Sequence, residues 1–125
     1  GRRRMDIRIE PKGTHLHAEV GGAYDGSAAR EVIARVRGEC ARLGLDRVFV
    51  DARGLDAAVT IADRFDLARV LAEGCTAAVR FAILVRPEHM VTKALEDSAV
   101  NRGVPVRTTA VASEAYGFLG VEPPG

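Results

Sequence analysis

Two short apolar runs, separated by a helical pattern, constrain the fold of this chain most. They are residues 47–51 (RVFVD) and residues 78–85 (AVRFAILV). Neither run alternates cleanly between apolar and polar residues, which is typical of strands that are covered on both faces. Such strands belong to parallel sheets, because the helices that connect them pack on the sheet. We therefore predict an α/β domain with a mostly parallel sheet and right-handed crossovers.

Regular patterns on either side of these runs supply the other elements. Residues 5–10 and 14–20 each alternate between apolar and polar positions around a Pro-Lys-Gly turn, so they predict an antiparallel hairpin. A helix follows that Asp25 or Ser27 can cap and Gly44 can end. The remaining predicted elements are a helix from Ile61 to about Glu73, a helix from Pro87 to about Arg102, a strand over 104–111 and a short helix through Tyr116 and Leu119.

The length of 125 residues fits one domain, because two independent cores would each be small. We place this domain at residues 5–120, with the element order ββαβαβαβα and an antiparallel hairpin at its start. Residues 1–4 are expected to be a tag remnant or a disordered tail, and residues 121–125 a C-terminal tail.

Composition excludes several classes of function. A formal net charge of +1 argues against an electrostatic nucleic-acid binder. No apolar run is long enough to span a bilayer, and neither a GxGxxG nor a Walker sequence occurs, so we predict no membrane span and no cofactor. Cys40 and Cys75 lack metal-ligand spacing and are interpreted as buried thiols, which favours a cytoplasmic location.

One strand face offers a weak metal pattern. His15, His17 and Glu19 alternate along the second strand and so project to the same side. A pair of histidines spaced in this way can chelate a metal, but the sequence supplies no clear third ligand. We favour a solvated sheet face and predict no metal site.

Charged residues cluster where the first buried strand is expected to end. Asp51, Arg53 and Asp56 lie at the start of a predicted loop over 52–59, a position at which α/β folds commonly place ligands. No serine, cysteine or histidine lies nearby to form a nucleophile–base pair. We therefore predict a contact surface and no enzymatic activity.

The second helix adds an apolar component to this surface. Thr60, with Asp63 three residues later, resembles a capping box. Leu67 and Val70 are predicted to face outward, opposite the buried stripe that comprises Ile61, Phe65, Ala68, Leu71 and Ala72. The predicted core of the domain comprises Val48, Val50, Phe65, Leu71, Phe81, Ile83, Val85 and Leu95.

Several segments carry a resemblance to a known group of proteins. The element order and the sequences RVFVDARGL, VTIADRF, VRFAILVRPE and KALEDSAVNRG resemble the STAS-like group of SpoIIAA-like bacterial domains, the fold of anti-sigma-factor antagonists. The resemblance covers residues 5–119. It implies a regulatory protein-interaction module whose partner is a kinase or an anti-sigma-like factor, and whose contact surface comprises Asp51, Arg53, Asp56, Thr60, Asp63, Leu67 and Val70.

This chain departs from that group at the regulatory turn. Antagonists of the group carry an Asp-Ser-Ser-Gly turn whose second serine is phosphorylated, whereas this sequence has Asp51-Ala52-Arg53-Gly54. The phosphorylation switch therefore does not carry over to this turn. Thr60 is the nearest hydroxyl, and we interpret it as a helix N-cap.

The sequence leaves two functions open. The first is a non-enzymatic interaction module without the usual phosphoacceptor serine. The alternative is a SEC14-like carrier that holds a small apolar molecule or a lipid between the sheet and the helices. A large enclosed pocket favours the carrier, whereas a filled core with an exposed patch favours the module. The sequence also leaves open whether the protein forms a homodimer.

Overall fold

A computed structural model describes residues 5–73, 79–90 and 103–124. The described elements follow the predicted order, although the predicted helix after Pro87 is described only as a short 3₁₀ turn, and its later residues, including Leu95, lie outside the described ranges. The elements are β1 (Asp6–Pro11), β2 (Leu16–Gly22), α1 (Gly26–Leu43), β3 (Arg47–Leu55), α2 (Ile61–Ala72), β4 (Arg80–Leu84), the 3₁₀ turn (Pro87–His89), β5 (Val106–Thr109) and α3 (Ala112–Leu119).

The five strands form one sheet in the order β1-β2-β3-β4-β5. β1 pairs with β2 in antiparallel fashion, and every later pair is parallel, which confirms the predicted topology. Across β3, β4 and β5, Val48 is paired with Phe81, and Phe81 is paired with Val106. α1 and α2 cover one face of the sheet, and α3 covers part of the other.

Local capping fixes both crossover helices. The Asp25 carboxylate accepts the Ser27 N–H at 2.9 Å and begins α1, which ends at Gly44 in the left-handed conformation. The Thr60 hydroxyl accepts the Asp63 N–H at 3.2 Å and begins α2. Both caps confirm the predicted helix starts.

The core agrees with the prediction in the strands and differs from it in α2. Val48, Leu71 and Phe81 are buried, and three further predicted core residues are half-buried: Val50, Ile83 and Val85. The prediction was wrong for Ile61 and Phe65, whose exposed fractions are 54% and 50%. α2 is rotated relative to the predicted orientation, because the side chain of Arg64 points inward.

The carboxyl end of β3 is longer than predicted. Residues 52–55, expected to begin a loop, continue the strand and pair with the end of β2 after an irregularity between Glu19 and Gly21. Gly21 and Gly54 make this extension feasible: a Cβ added at Gly54 would lie 3.1 Å from the Gly21 Cα, closer than ordinary van der Waals contact. Two facing glycines let the two backbones approach.

The sheet face on which α3 packs, called the second sheet face below, is less solvated than predicted. His15, expected to face solvent, is only 4% exposed and meets Tyr116 of α3 edge-on, with ring centroids 6.1 Å apart. His17 stacks on Phe49 at 5.3 Å, and Phe49 in turn stacks on Tyr116 at 4.5 Å. A helix about 100 residues later in the chain covers this part of the face.

We expect the buried histidine to make stability depend on pH. Burial, together with the nearby His17 and Lys12, lowers the pKa of His15 below its usual 6.5. The unfolded chain therefore binds more protons than the folded chain just below pH 6.5, so folding stability is lost as pH falls through this window. Thermal unfolding of the parent and of His15→Gln at pH 7 and pH 5 should show a smaller pH-induced loss in the variant. An equal loss in both proteins would contradict this.

Candidate functional site

The half of the second sheet face that α3 leaves uncovered forms a polar cleft of about 710 Å³. It lies at the carboxyl ends of β2 and β3. The antiparallel pairing of β1 brings Arg8 beside Glu19, and parallel pairing brings Glu19 beside Asp51. The lining includes Asp6, Arg8, Glu19, Gly21, Asp51, Arg53, Gly54 and Arg86.

Asp51 and Arg53, both predicted site residues, form a two-pronged ion pair on one wall of the cleft. Arg53 donates from Nε to one carboxylate oxygen at 3.0 Å and from a terminal nitrogen to the other at 2.8 Å, and its backbone N–H donates at 3.1 Å. Burial by itself would raise the pKa of Asp51, but the hydrogen bonds from Arg53 outweigh burial and lower it. Asp51 is therefore an ionised, fully engaged partner and is unsuited to general-acid chemistry.

A second arginine ties the next strand to this wall. Arg86, which follows β4, donates from Nε to the Arg53 carbonyl oxygen at 2.6 Å. The ends of β3 and β4 are thus joined at the cleft. Arg86 and Arg8 were not predicted from the sequence, because neither follows a recognised motif and both reach the cleft only through strand pairing.

The other predicted residues lie around the start of α2, which packs on the opposite sheet face. Thr60 and Asp63 are joined by the cap, and Asp56 is exposed, with its N–H donating to the Gly22 carbonyl oxygen at 2.9 Å. The structure therefore divides the predicted site into a cleft pair and an α2 group, one on each side of the sheet.

Tyr24, just before α1, is an unpredicted neighbour of α2. Burial, followed by the charges of Asp63, Asp66 and Asp25, raises its pKa to about 12. The phenolate is therefore disfavoured, and the hydroxyl stays protonated even in alkaline solution. No sequence pattern pointed to Tyr24, because its acidic neighbours come mainly from a helix some 40 residues later in the chain.

The outward face of α2 differs from the predicted one. Val70 is only 5% exposed and Leu67 packs against the core, so the prediction that these two side chains face outward was wrong. Ile61 and Phe65, one helical turn apart, occupy the outward face instead. The reason is Arg64, which is 8% exposed and donates to the Val59 and His89 carbonyl oxygens at 2.8 and 3.0 Å.

Residues 5–73, 79–90 and 103–124 contain no group of three or more histidine, cysteine, aspartate or glutamate side chains placed to hold a metal ion. Over the same ranges, no helix has the length and apolar character that crossing a bilayer requires.

Comparison with solved structures shows the fold. The chain superposes on an anti-sigma factor antagonist from Mycobacterium paratuberculosis with a TM-score of 0.65 and 11% identity, covering 94% of this chain and 95% of that one. It also superposes on an uncharacterised DUF3478-family protein with a SpoIIAA-like fold from Shewanella loihica, with a TM-score of 0.55 and 16% identity, covering 92% and 93%. The fold is therefore SpoIIAA-like, as the sequence resemblance implied. No protein-family model and no curated protein matches the sequence.

Proposed function

We propose that this domain is a non-enzymatic regulatory module that binds a protein partner through the start of α2. The contact surface, which we call the α2 surface, comprises Thr60, Ile61 and Phe65, with Asp56 and Asp63 at its margin. The observation that carries the proposal is the pair of apolar side chains Ile61 and Phe65, each about half exposed on one face of the helix. Aromatic residues at the centre of a patch with a polar rim are the usual anchors of protein interfaces.

The fold supports the regulatory part of the proposal. A solved neighbour is an anti-sigma factor antagonist, and the corresponding partner of this chain would be a kinase or an anti-sigma-like factor. The charged side chains of Asp56 and Asp63, at the margin of the α2 surface, would contribute specificity rather than most of the affinity.

The contacts also favour a module that is not switched at the turn after Asp51. Arg53, which occupies the position of the usual phosphoacceptor, is held by Asp51 in a bidentate pair. The Thr60 hydroxyl is engaged in the helix cap. Binding competence would therefore be constitutive, or controlled elsewhere in the chain.

The test is a charge substitution on the α2 surface. The double variant Ile61→Asp and Phe65→Asp should lose the partner captured from a lysate of the source organism, because two desolvated anchors are replaced by charges. The parent protein should retain that partner, and the double variant should have the same melting temperature as the parent. The control is Val111→Asp, which places one such charge on an apolar residue that is 48% exposed at the start of α3. Retention of the same partner by the double variant would contradict the proposal.

One observation bears on the carrier alternative. A cavity of about 120 Å³ lies between the sheet and the first two helices, with mainly apolar lining that includes Val50, Leu67 and Ile83. A cavity of about 150 Å³ in another protein accommodates a molecule as small as benzene, so this smaller cavity is too small for a lipid chain. Its size favours the module. Lipid that co-purifies in equal amount with the protein, detected by native mass spectrometry, would reverse this preference.

A further inference from the structure

We propose that the polar cleft binds the oxyanion group, phosphate or carboxylate, of a small molecule between Arg8 and Arg86. The cleft and the α2 surface lie on opposite faces of the sheet, so this inference is independent of the proposed protein partner. It rests on unused hydrogen-bond donors, on the floor of the cleft and on its charge balance.

The donors come from two arginines that the domain itself does not use fully. Over the described residues, Arg8 makes no hydrogen bond or ion pair, although it lines the cleft. Arg86 donates from Nε to the Arg53 carbonyl oxygen. Its two terminal nitrogens have no hydrogen-bond partner among the described residues. A guanidinium group presents paired N–H donors whose spacing matches two oxygens of a phosphate or carboxylate. Arg86 is also held in place by its Nε bond, so less side-chain freedom is lost on binding.

The floor of the cleft is backbone. Gly21 and Gly54 both line it, and a side chain at either position would crowd the chain, because its Cβ would lie 3.1–3.2 Å from the opposite backbone. A ligand can therefore come close to the main chain between the arginines. Glycine commonly serves this purpose where a backbone must approach a ligand.

Charge balance limits the class of ligand. Arg53 neutralises Asp51 within the wall, which leaves Arg8 and Arg86 facing Asp6 and Glu19. These four charges sum to zero, so binding has to come from direct hydrogen bonds between the guanidinium groups and one compact anionic group. A chain of closely spaced negative charges would also meet Asp6 and Glu19 and be repelled by them. The cleft should therefore accept a small phosphorylated or carboxylated molecule and reject nucleic acid.

The experiment is a titration of the full, ¹⁵N-labelled chain with inorganic phosphate or with acetate, at constant ionic strength set by sodium chloride. We expect saturable shifts of the Gly21, Arg53 and Gly54 amide signals. Arg8→Gln and Arg86→Gln should each weaken binding about tenfold or more, because each removes a charge-assisted contact. Saturation by either anion supports the site, and the tighter of the two identifies the anionic group that the ligand carries.

The control is Arg35→Gln, which removes the same charge from an exposed position on α1, on the opposite side of the sheet. It should leave binding unchanged. Arg8 is exposed on the edge strand β1, so Arg8→Gln should fold even if Arg86→Gln does not. Shifts that grow linearly without saturating, equal weakening in Arg35→Gln, or unchanged binding in Arg8→Gln would each overturn the proposal.

Discussion

Truncation of Phe81 to alanine should lower the free energy of unfolding by about 3–5 kcal/mol, the typical cost of removing a buried phenylalanine. Phe81 is 3% exposed and lies on the interior strand β4, paired with Val48 of β3 on one side and Val106 of β5 on the other. The loss combines the favourable free energy of burying the ring, which the variant no longer gains, with the cost of the cavity that its removal leaves. Because a domain of this kind is stable by about 5–15 kcal/mol, the loss is a large share of the total. Urea unfolding followed by circular dichroism would measure it.

Phe65→Ala is the matched control for this measurement. It removes the same side chain, but from an exposed position on α2, and should change the free energy of unfolding by about 0.5 kcal/mol or less. The comparison also tests the orientation of α2. If Phe65→Ala cost as much as Phe81→Ala, the described rotation of the helix would be incorrect.

Replacement of Arg64 by methionine should destabilise the domain by about 2–4 kcal/mol, because removing a buried donor leaves its acceptors unpaired. The Val59 and His89 carbonyl oxygens would each lose a charge-assisted hydrogen bond, at 2.8 and 3.0 Å in the parent. Methionine retains an unbranched apolar stem and removes the guanidinium group, so the loss mainly reports the hydrogen bonds. Thermal unfolding would register it as a lower melting temperature.

Arg69→Met provides the comparison on the same helix. Arg69 is half exposed and contacts Asp66 and Glu73 at the surface, where ion pairs contribute about 0–1 kcal/mol. Its replacement should shift the melting temperature little. Equal shifts for the two variants would show that the Arg64 contacts are not an important source of stability.

Much of the fold could be predicted from the sequence, because the signals were local. The apolar run at residues 78–85 indicated an interior parallel strand, and the Pro-Lys-Gly turn indicated the hairpin. Thr60 was recognised as a cap because capping needs only a hydroxyl and an N–H three residues away. In each case the residues that determine the structure are close neighbours along the chain.

The predictions for the orientation of α2 and the exposure of His15 were wrong, because residues distant in the sequence determine both. α2 contains apolar residues on two of its faces. The buried face was predicted from hydrophobicity alone, and this criterion places an arginine in solvent. Arg64 instead points inward, because His89, 25 residues later, supplies a carbonyl oxygen that satisfies it. His15 was expected in solvent for the same kind of reason, since the ring that covers it belongs to Tyr116.

The candidate site also contains residues that the local sequence predicted and residues that it did not. Asp51 and Arg53 were identified because they follow a buried strand directly, and they do form one wall of the cleft. Arg8 and Arg86 were missed, because the chain order separates them by 78 residues and only the pairing of four strands brings them to one cleft. Ile61 and Phe65 were misplaced together with the rotation of α2.

The order of the strands has a consequence for how the protein is made. Strand order in the sheet equals strand order in the chain, so each strand pairs with the one synthesised just before it. During translation, each described strand can pair with the exposed edge of the strand made just before it. None of the described strands has to be inserted later between two strands that are already paired. Sheet assembly can therefore proceed in step with the ribosome. Among the elements that the structure describes, α3 is the one that reaches back across several strands, and its docking on Phe49 and Leu84 would come late in folding.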